Sequence, residues 1–166
     1  NKSWTGTGTA DDPILISTAE QLAGFADSVN RGDDFSGRYI ELAADIYLSD
    51  STLGDSLKHE WEHPIGQFQS GGQGWEYTLD TAWFRGNFDG KNFKIKNLTI
   101  TNPTIDSDGY VYAGLFGVTE GTDKNNQNTI KNLTIENVTI NTTGHIAAAA
   151  IAYPYYTIVD SVKVCG

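Results

Sequence analysis

Residues 59 to 63 read His-Glu-Trp-Glu-His, a literal H-E-x-x-H. On a helix that spacing aims two imidazoles at one metal ion and holds the first Glu as a base. Pro64 pushes His63 away from helical angles, Gly66 follows, and no apolar helical stripe surrounds the five residues. The expectation is an irregular loop with no metal. Asp106-Ser-Asp108-Gly109 begins like a calcium loop, but it lacks a third acidic ligand and has Gly117 where the bidentate Glu would fall. A corner turn is expected there. Cys165 has only Lys163 as a basic neighbour, too little to make a nucleophile, and His145 reads as a surface residue. No catalytic residue and no cofactor are expected.

The more informative stretch runs from Trp61 to Trp83. It sets Phe68, Trp75, Tyr77 and Trp83 among Gln67, Gln69, Gln73 and several Gly. Flat aromatics beside amides suit a sugar ring or a partner protein, and long loops on rigid scaffolds commonly carry binding. These four aromatics are the candidate ligand-binding residues. The competing expectation, given more weight, is that the rings close the side of the fold.

The chain has 166 residues and a net charge of −10, with a pI near 4.5. That length suits one domain with its own core. An acidic surface repels phosphate backbones and anionic membranes, so nucleic acid and lipid are poor partners. No apolar run is long enough to span a bilayer, and no charged-then-apolar leader is present, so any export signal is expected to be removed. A single Cys excludes an internal disulfide framework. High Thr, Asn, Gly and Tyr with little Lys fits an exported β-protein. Asn1, Asn97, Asn132, Asn137 and Asn141 match the glycosylation triplet, and three of them fall inside the repeated phrase, where it arises from corner plus alternation.

The elements that must position any site are announced by a repeat. Residues 95 to 105 and 130 to 140 agree at nine of eleven positions, 35 residues apart. A fainter copy, Val159-Asp-Ser-Val-Lys-Val164, lies 29 residues after Ile130. Such periods indicate stacked supersecondary units. Leu98, Thr99 and Ile100 alternate as a strand does, and Asn97 breaks the alternation where a corner would turn. Stacking the copies directly would place Asn97 over Asn132 and Asn102 over Asn137. Residues 112 to 118 align with 147 to 153 at the same offset of 35. With the Asp108-Gly109 between the copies read as a corner turn and not as a hairpin, the prediction is a single-stranded parallel β-helix, right-handed by the crossover rule.

These residues carry a resemblance. Tyr112-Ala-Gly-Leu-Phe-Gly, then Thr129-Ile-Lys-Asn-Leu-Thr-Ile, then an Ala-rich strand, resembles the GLUG repeat of bacterial cell-surface proteins. Trp4-Thr-Gly-x-Gly-Thr, Asp12-Pro-Ile-Leu-Ile, Glu20-Gln-Leu-Ala-Gly-Phe-Ala, Pro64-Ile-Gly66 and Phe88-Asp-Gly resemble the segment that precedes those repeats. The resemblance implies an extracellular, adhesin-like module rather than an enzyme. Host or matrix glycan or protein would be its partner, and the rest of a longer surface protein would meet its C-terminal edge. The insert from Gln67 to Trp83 is longer than the family usually shows. Metallopeptidases with such repeats keep catalysis in a separate domain, which also weighs against His59 and His63.

The predicted layout is a single domain. Residues 1–38 form a lead-in and capping helix, 39–94 the first coils with the insert at 61–83, and 95–166 the repeats. Ser17-Thr-Ala-Glu20 reads as a capping box, and Leu22, Phe25, Ala26 and Val29 recur at helical spacing up to Gly32. Residues 119 to 128 and 153 to 156 read as corresponding loops. The alternative function is polysaccharide cleavage, which in parallel β-helices needs carboxylates clustered with Arg or Lys. Asp45, Asp89 and Asp160 are expected to fall in different phases, without such a neighbour.

Overall fold

The computed structural model describes residues 4–48, 61, 64–67, 82–100, 113–141 and 150–166. The fold is mostly β, with one helix and a seven-stranded sheet in which every pairing is parallel. Short apolar alternations make its strands: Ile14–Ile16 (β1), Tyr39–Leu42 (β2), Ile46–Tyr47 (β3), Asn87–Asp89 (β4) and Lys94–Lys96 (β5). Thr99–Ile100 (β6) and Phe116–Glu120 (β7) lie outside that sheet. Asn128–Glu136 (β8) is the long central strand. Thr139–Ile140 (β9), Ile151–Tyr155 (β10) and Thr157–Cys165 (β11) complete the chain. The sheet runs β1-β2-β4-β8-β5-β3, with β11 on the other side of β8, while β7 pairs with β10 and β6 with β9.

Helix α1 (Ala19–Asn30) lies between β1 and β2. Its cap falls one residue later than the capping-box reading. Thr18 is extended and accepts from the Gln21 amide at 3.1 Å, while the Gln21 side chain accepts from the Ser17 amide at 2.8 Å. Gln21, not Glu20, is therefore the reciprocal partner, while Glu20 stands in the first turn, where a negative charge suits the helix dipole. Leu22, Phe25 and Val29 are fully buried. The Phe25 ring packs edge-on against Phe35 and Phe84, with centroids at 4.9 and 5.6 Å, and reaches Phe88 at 6.3 Å. Each buried ring contributes roughly 1.5–3 kcal/mol. Asn30 adds a polar clamp: its amide donates to the Pro64 carbonyl at 2.9 Å and accepts from the Gly66 amide at 3.1 Å.

The corners behave as the Asn spacing suggests. Asn97, Asn132, Asn137 and Ser161 all adopt left-handed backbone, with φ between 54° and 63°. Their stacking differs from expectation. Ile95 pairs with Ile135 and Thr99 with Thr139, so Asn97 lies against Asn137, whose amide donates to its Oδ1 at 2.7 Å. Asn132 instead donates to Asp89 at 3.1 Å. Asn102 lies outside the described residues. The reason is a five-residue half-repeat, Ile130-Lys-Asn-Leu-Thr then Ile135-Glu-Asn-Val-Thr. Sliding by five keeps every Ile inward and every Asn at a corner, so the register with more identities, at offset 35, has no advantage in facing or corner chemistry over the observed one at offset 40. Phe88-Asp-Gly90 breaks the tie by occupying the place over Ile130. A Cβ on Gly90 would sit 2.4 Å from the Asn132 carbonyl oxygen, so only Gly admits that approach.

The other two offsets hold. Val159, Val162 and Val164 pair with Ile130, Leu133 and Ile135, and Phe116 pairs with Ile151. Residues 153 to 155, read as loop, are strand. In-register pairing with β7 extends them, and Pro154 is tolerated because β10 is an edge strand. On β11 the inward residues Val159 and Val164 are nearly half exposed, at 46% and 47%.

At Asn137 the backbone alone should dictate tolerance. Asn137→Ala is expected to cost about 1–2 kcal/mol more than Asn137→Gly, because both lose the amide bond but only Ala is strained at φ > 0. Urea midpoints of the two variants measure the difference. Equal midpoints would mean that the corner is held by the hydrogen bond instead.

Candidate functional site

Of the four aromatics singled out in the insert, Phe68, Trp75 and Tyr77 lie outside the described residues. Trp83 does not, and its surroundings were not foreseen. From Ala82 to Gly90 burial alternates strictly: even positions are buried, while Trp83, Arg85, Asn87 and Asp89 are partly exposed. One run of chain therefore presents an aromatic, a cation, an amide and a carboxylate in succession.

Beside Trp83 stands Tyr153, with ring centroids 6.4 Å apart. Tyr155, two residues further along β10, lies 6.4 Å from Tyr153 with its ring plane only 18° away. Tyr156 leans on Tyr155 at 4.3 Å and turns the corner at φ 49°. Tyr153 and Tyr155 are each about two-fifths exposed, at 43% and 41%. Their near-parallel planes make a platform. A hydrogen bond with Tyr156 and that ring's own charge hold the Tyr155 phenol above the ordinary tyrosine value.

Next along the run, Arg85 bridges two acids, Glu120 at 2.7 Å and Asp34 at 3.1 Å. Glu120 is registered against Tyr155, so the ion pair borders the platform. Partial burial pulls the guanidinium pKa down, but the hydrogen bonds and charges of Glu120 and Asp34 outweigh it and leave the value raised. Beneath this corner the polar groups are paired. The Asn128 amide donates to the Gly86 carbonyl at 2.9 Å, and its Oδ1 accepts from the Thr157 hydroxyl at 2.7 Å.

Beyond the corner, parallel register aligns two rows across the exposed face. Tyr39, Asn87, Thr129 and Ile158 form one; Glu41, Asp89, Lys131 and Asp160 form the other. Neighbours in a row are on strands about 4.8 Å apart. A groove of about 430 Å³ lies over them, lined by Tyr39, Glu41, Asn87, Asp89, Thr129 and Lys131. Asp89 accepts from the Lys91 amide at 2.8 Å and from Asn132, which orients its carboxylate. A shallower hollow of about 250 Å³ at Arg85 shares Asn87 and Gln127 with the groove.

These rows correct one expectation. Asp89 and Asp160 are in the same phase and flank Lys131. Asp45 is elsewhere, accepting from the Lys94 amide at 2.8 Å. The alternation of Tyr39-x-Glu41 and of residues 83–89 was visible in the sequence. Which positions met side by side was not, because the half-repeat leaves register open.

The metal-like motif is described only at Trp61. Its amide donates to the Thr99 carbonyl at 2.9 Å, and Ile65 donates to Leu115 at 2.8 Å, so both reach other segments of chain instead of closing a helical turn. His59, Glu60, Glu62 and His63 lie outside the described residues, as do Asp106, Asp108 and His145. Cys165 is exposed. Among the described residues no group of three or more His, Cys, Asp or Glu is placed to hold a metal ion. Comparison with protein-family models, with curated proteins and with solved structures gave no match.

The Tyr155–Tyr156 contact has a spectroscopic consequence. In Tyr156→Phe the Tyr155 phenol should titrate at lower pH than in the parent, because the hydrogen bond that raises it is gone. Ring-carbon NMR across the alkaline range follows it. An unchanged Tyr155 midpoint would show that the pair is not hydrogen-bonded in solution.

Proposed function

We propose that this chain is a non-catalytic adhesion or scaffold module of a bacterial cell-surface protein, resembling the GLUG-repeat kind, and that it binds glycan. In this reading the parallel sheets are the faces of a right-handed, single-stranded parallel β-helix, with α1 covering its first coil. Support comes from the parallel registers, from left-handed corners at Asn97, Asn132, Asn137 and Ser161, and from β7 and β8 carrying the GLUG-like Phe116-Gly and Ile-Lys-Asn-Leu-Thr-Ile. The module would act outside the cell, displayed or secreted.

The observation that carries the binding reading is the row Trp83, Tyr153 and Tyr155. Folding normally covers aromatic rings, since each removes a large apolar area from water. Here two tyrosine rings remain about two-fifths exposed, with nearly parallel planes, on backbone held by in-register strands. A flat ring face suits the C–H face of a pyranose, and the phenol and neighbouring charges supply hydrogen bonds to its hydroxyls. Protein partners would meet the same chemistry, since Tyr and Trp also anchor protein interfaces.

The test is a glycan array followed by affinity measurement. Tyr155→Ala and Trp83→Ala are expected to weaken a bound glycan at least tenfold, about 1.4 kcal/mol each. Far-UV circular dichroism should stay unchanged and the melting temperature within a few degrees. A loss of several kcal/mol of stability in both variants would assign the rings to the core and end this reading.

One observation favours the second reading, polysaccharide cleavage. Glu41 and Asp89 are direct neighbours in register, and a retaining glycosidase holds its two carboxyls about 5–5.5 Å apart. Release of new reducing ends from polysaccharide, abolished in Glu41→Gln, would establish it in place of the non-catalytic reading.

A further inference from the structure

We infer that the glycan is a neutral chain that runs from the Tyr153–Tyr155 platform, past the Arg85–Glu120 pair, into the groove between Glu41 and Lys131. The inference rests on the glycan reading above and adds its path, its second subsite and its charge class.

The path follows from continuity along one stretch of chain. Trp83, Arg85, Asn87 and Asp89 are successive outward positions, so the platform end and the groove end are separated by at most roughly 20 Å of chain, which bends at Gly86. Arg85 is held by Glu120, the residue registered against Tyr155. The hollow at Arg85 adjoins the groove, since Asn87 and Gln127 line both. A ligand long enough to pass the platform meets a trough that is already concave.

The chemistry changes along that path. At one end are ring faces. At the other are the acceptors Glu41 and Asp89 with the donor Lys131, and Asn87 between them can serve either way. Donors and acceptors set side by side match a chain of hydroxyls, each of which both gives and takes a hydrogen bond. Carboxylate acceptors make the stronger, charge-assisted kind.

Charge decides the class. Along the second row three carboxylates, Glu41, Asp89 and Asp160, face one ammonium, Lys131. Arg85 already bridges Glu120 and Asp34. The chain as a whole carries −10. A uronate or sulfated chain would bring its charges beside carboxylates that outnumber the cations, and like charges at such distances repel. A neutral chain pays no such penalty.

The experiment is calorimetric titration of the whole chain with short and long gluco-, manno- and galacto-oligosaccharides, and with oligogalacturonate as the anionic control. Long neutral chains should bind more tightly than short ones. Glu41→Gln and Lys131→Ala should each weaken only the long chains, by about tenfold, the loss of one charge-assisted hydrogen bond. Tyr155→Ala should weaken both lengths. Oligogalacturonate should bind at least tenfold more weakly than a neutral chain of equal length. If Tyr155→Ala removes binding while both groove variants leave long chains unaffected, the path is overturned and the glycan reading stands. Equal affinity for oligogalacturonate overturns the charge class. If no neutral oligosaccharide binds the parent protein, the glycan reading itself fails and takes the path with it. Matching circular dichroism spectra for all variants exclude misfolding as the cause, and Glu41→Gln keeps the shape of the parent side chain.

Discussion

Everything in this structure depends on the bend at Asn132. Strand β8 runs nine residues through a residue at φ 54°, pairing with β4 before the bend and β5 after it on one side, and with β11 on the other. A strand that turns while keeping parallel partners on both sides forces each partner to turn at the same place. The neighbours comply by different means. Asp89 accepts from Asn132 and from Lys91, with Gly90 slipping past the Asn132 carbonyl, while Ser161 takes the left-handed corner at φ 54°. Asn serves best at these positions because it tolerates the backbone and its short amide bonds across to the next corner, as Asn137 does to Asn97.

With the corners set, the apolar alternation does the rest. Ile130, Leu133 and Ile135 point inward and are sealed by Phe88, Ile95 and Phe116. Close-packed rings lead from there to α1, where Phe25 joins Phe35, Phe84 and Phe88. The helix thereby packs its apolar face onto the core. The salt bridges are secondary. Lys94–Glu136 at 2.7 Å is well formed, yet both side chains are substantially exposed, and such pairs contribute little in water.

The same register produces the exposed face. Since inward and outward positions alternate, any constraint that aligns Phe88 with Ile130 also aligns Asp89 with Lys131 and Asn87 with Thr129. The groove is thus a by-product of how the core is stacked, and the pairing of β10 with β7 places the tyrosine platform in the same way, on backbone held by in-register strands. A rigid platform lowers the ordering cost of binding. That fits the proposed role of a surface module that meets an extended ligand without rearranging.

What the sequence determined by itself was local. Period-two alternation marked the strands, Asn97, Asn132 and Asn137 marked left-handed corners, and the spacing of Leu22, Phe25 and Val29 marked the helix, because each depends on backbone preferences within a few residues. Trp83 could be singled out as an aromatic; its partners could not. The tertiary structure decided what lies beside what. Ile95 sits on Ile135 and not on Ile130, residues 153 to 155 become a strand, and Glu41, Asp89, Lys131 and Asp160 fall into one row. The physical reason is the five-residue half-repeat: a slip of five costs nothing in facing or corner chemistry. Register was left to distant contacts, chiefly the fit of Phe88 and Gly90 over Ile130 and Asn132.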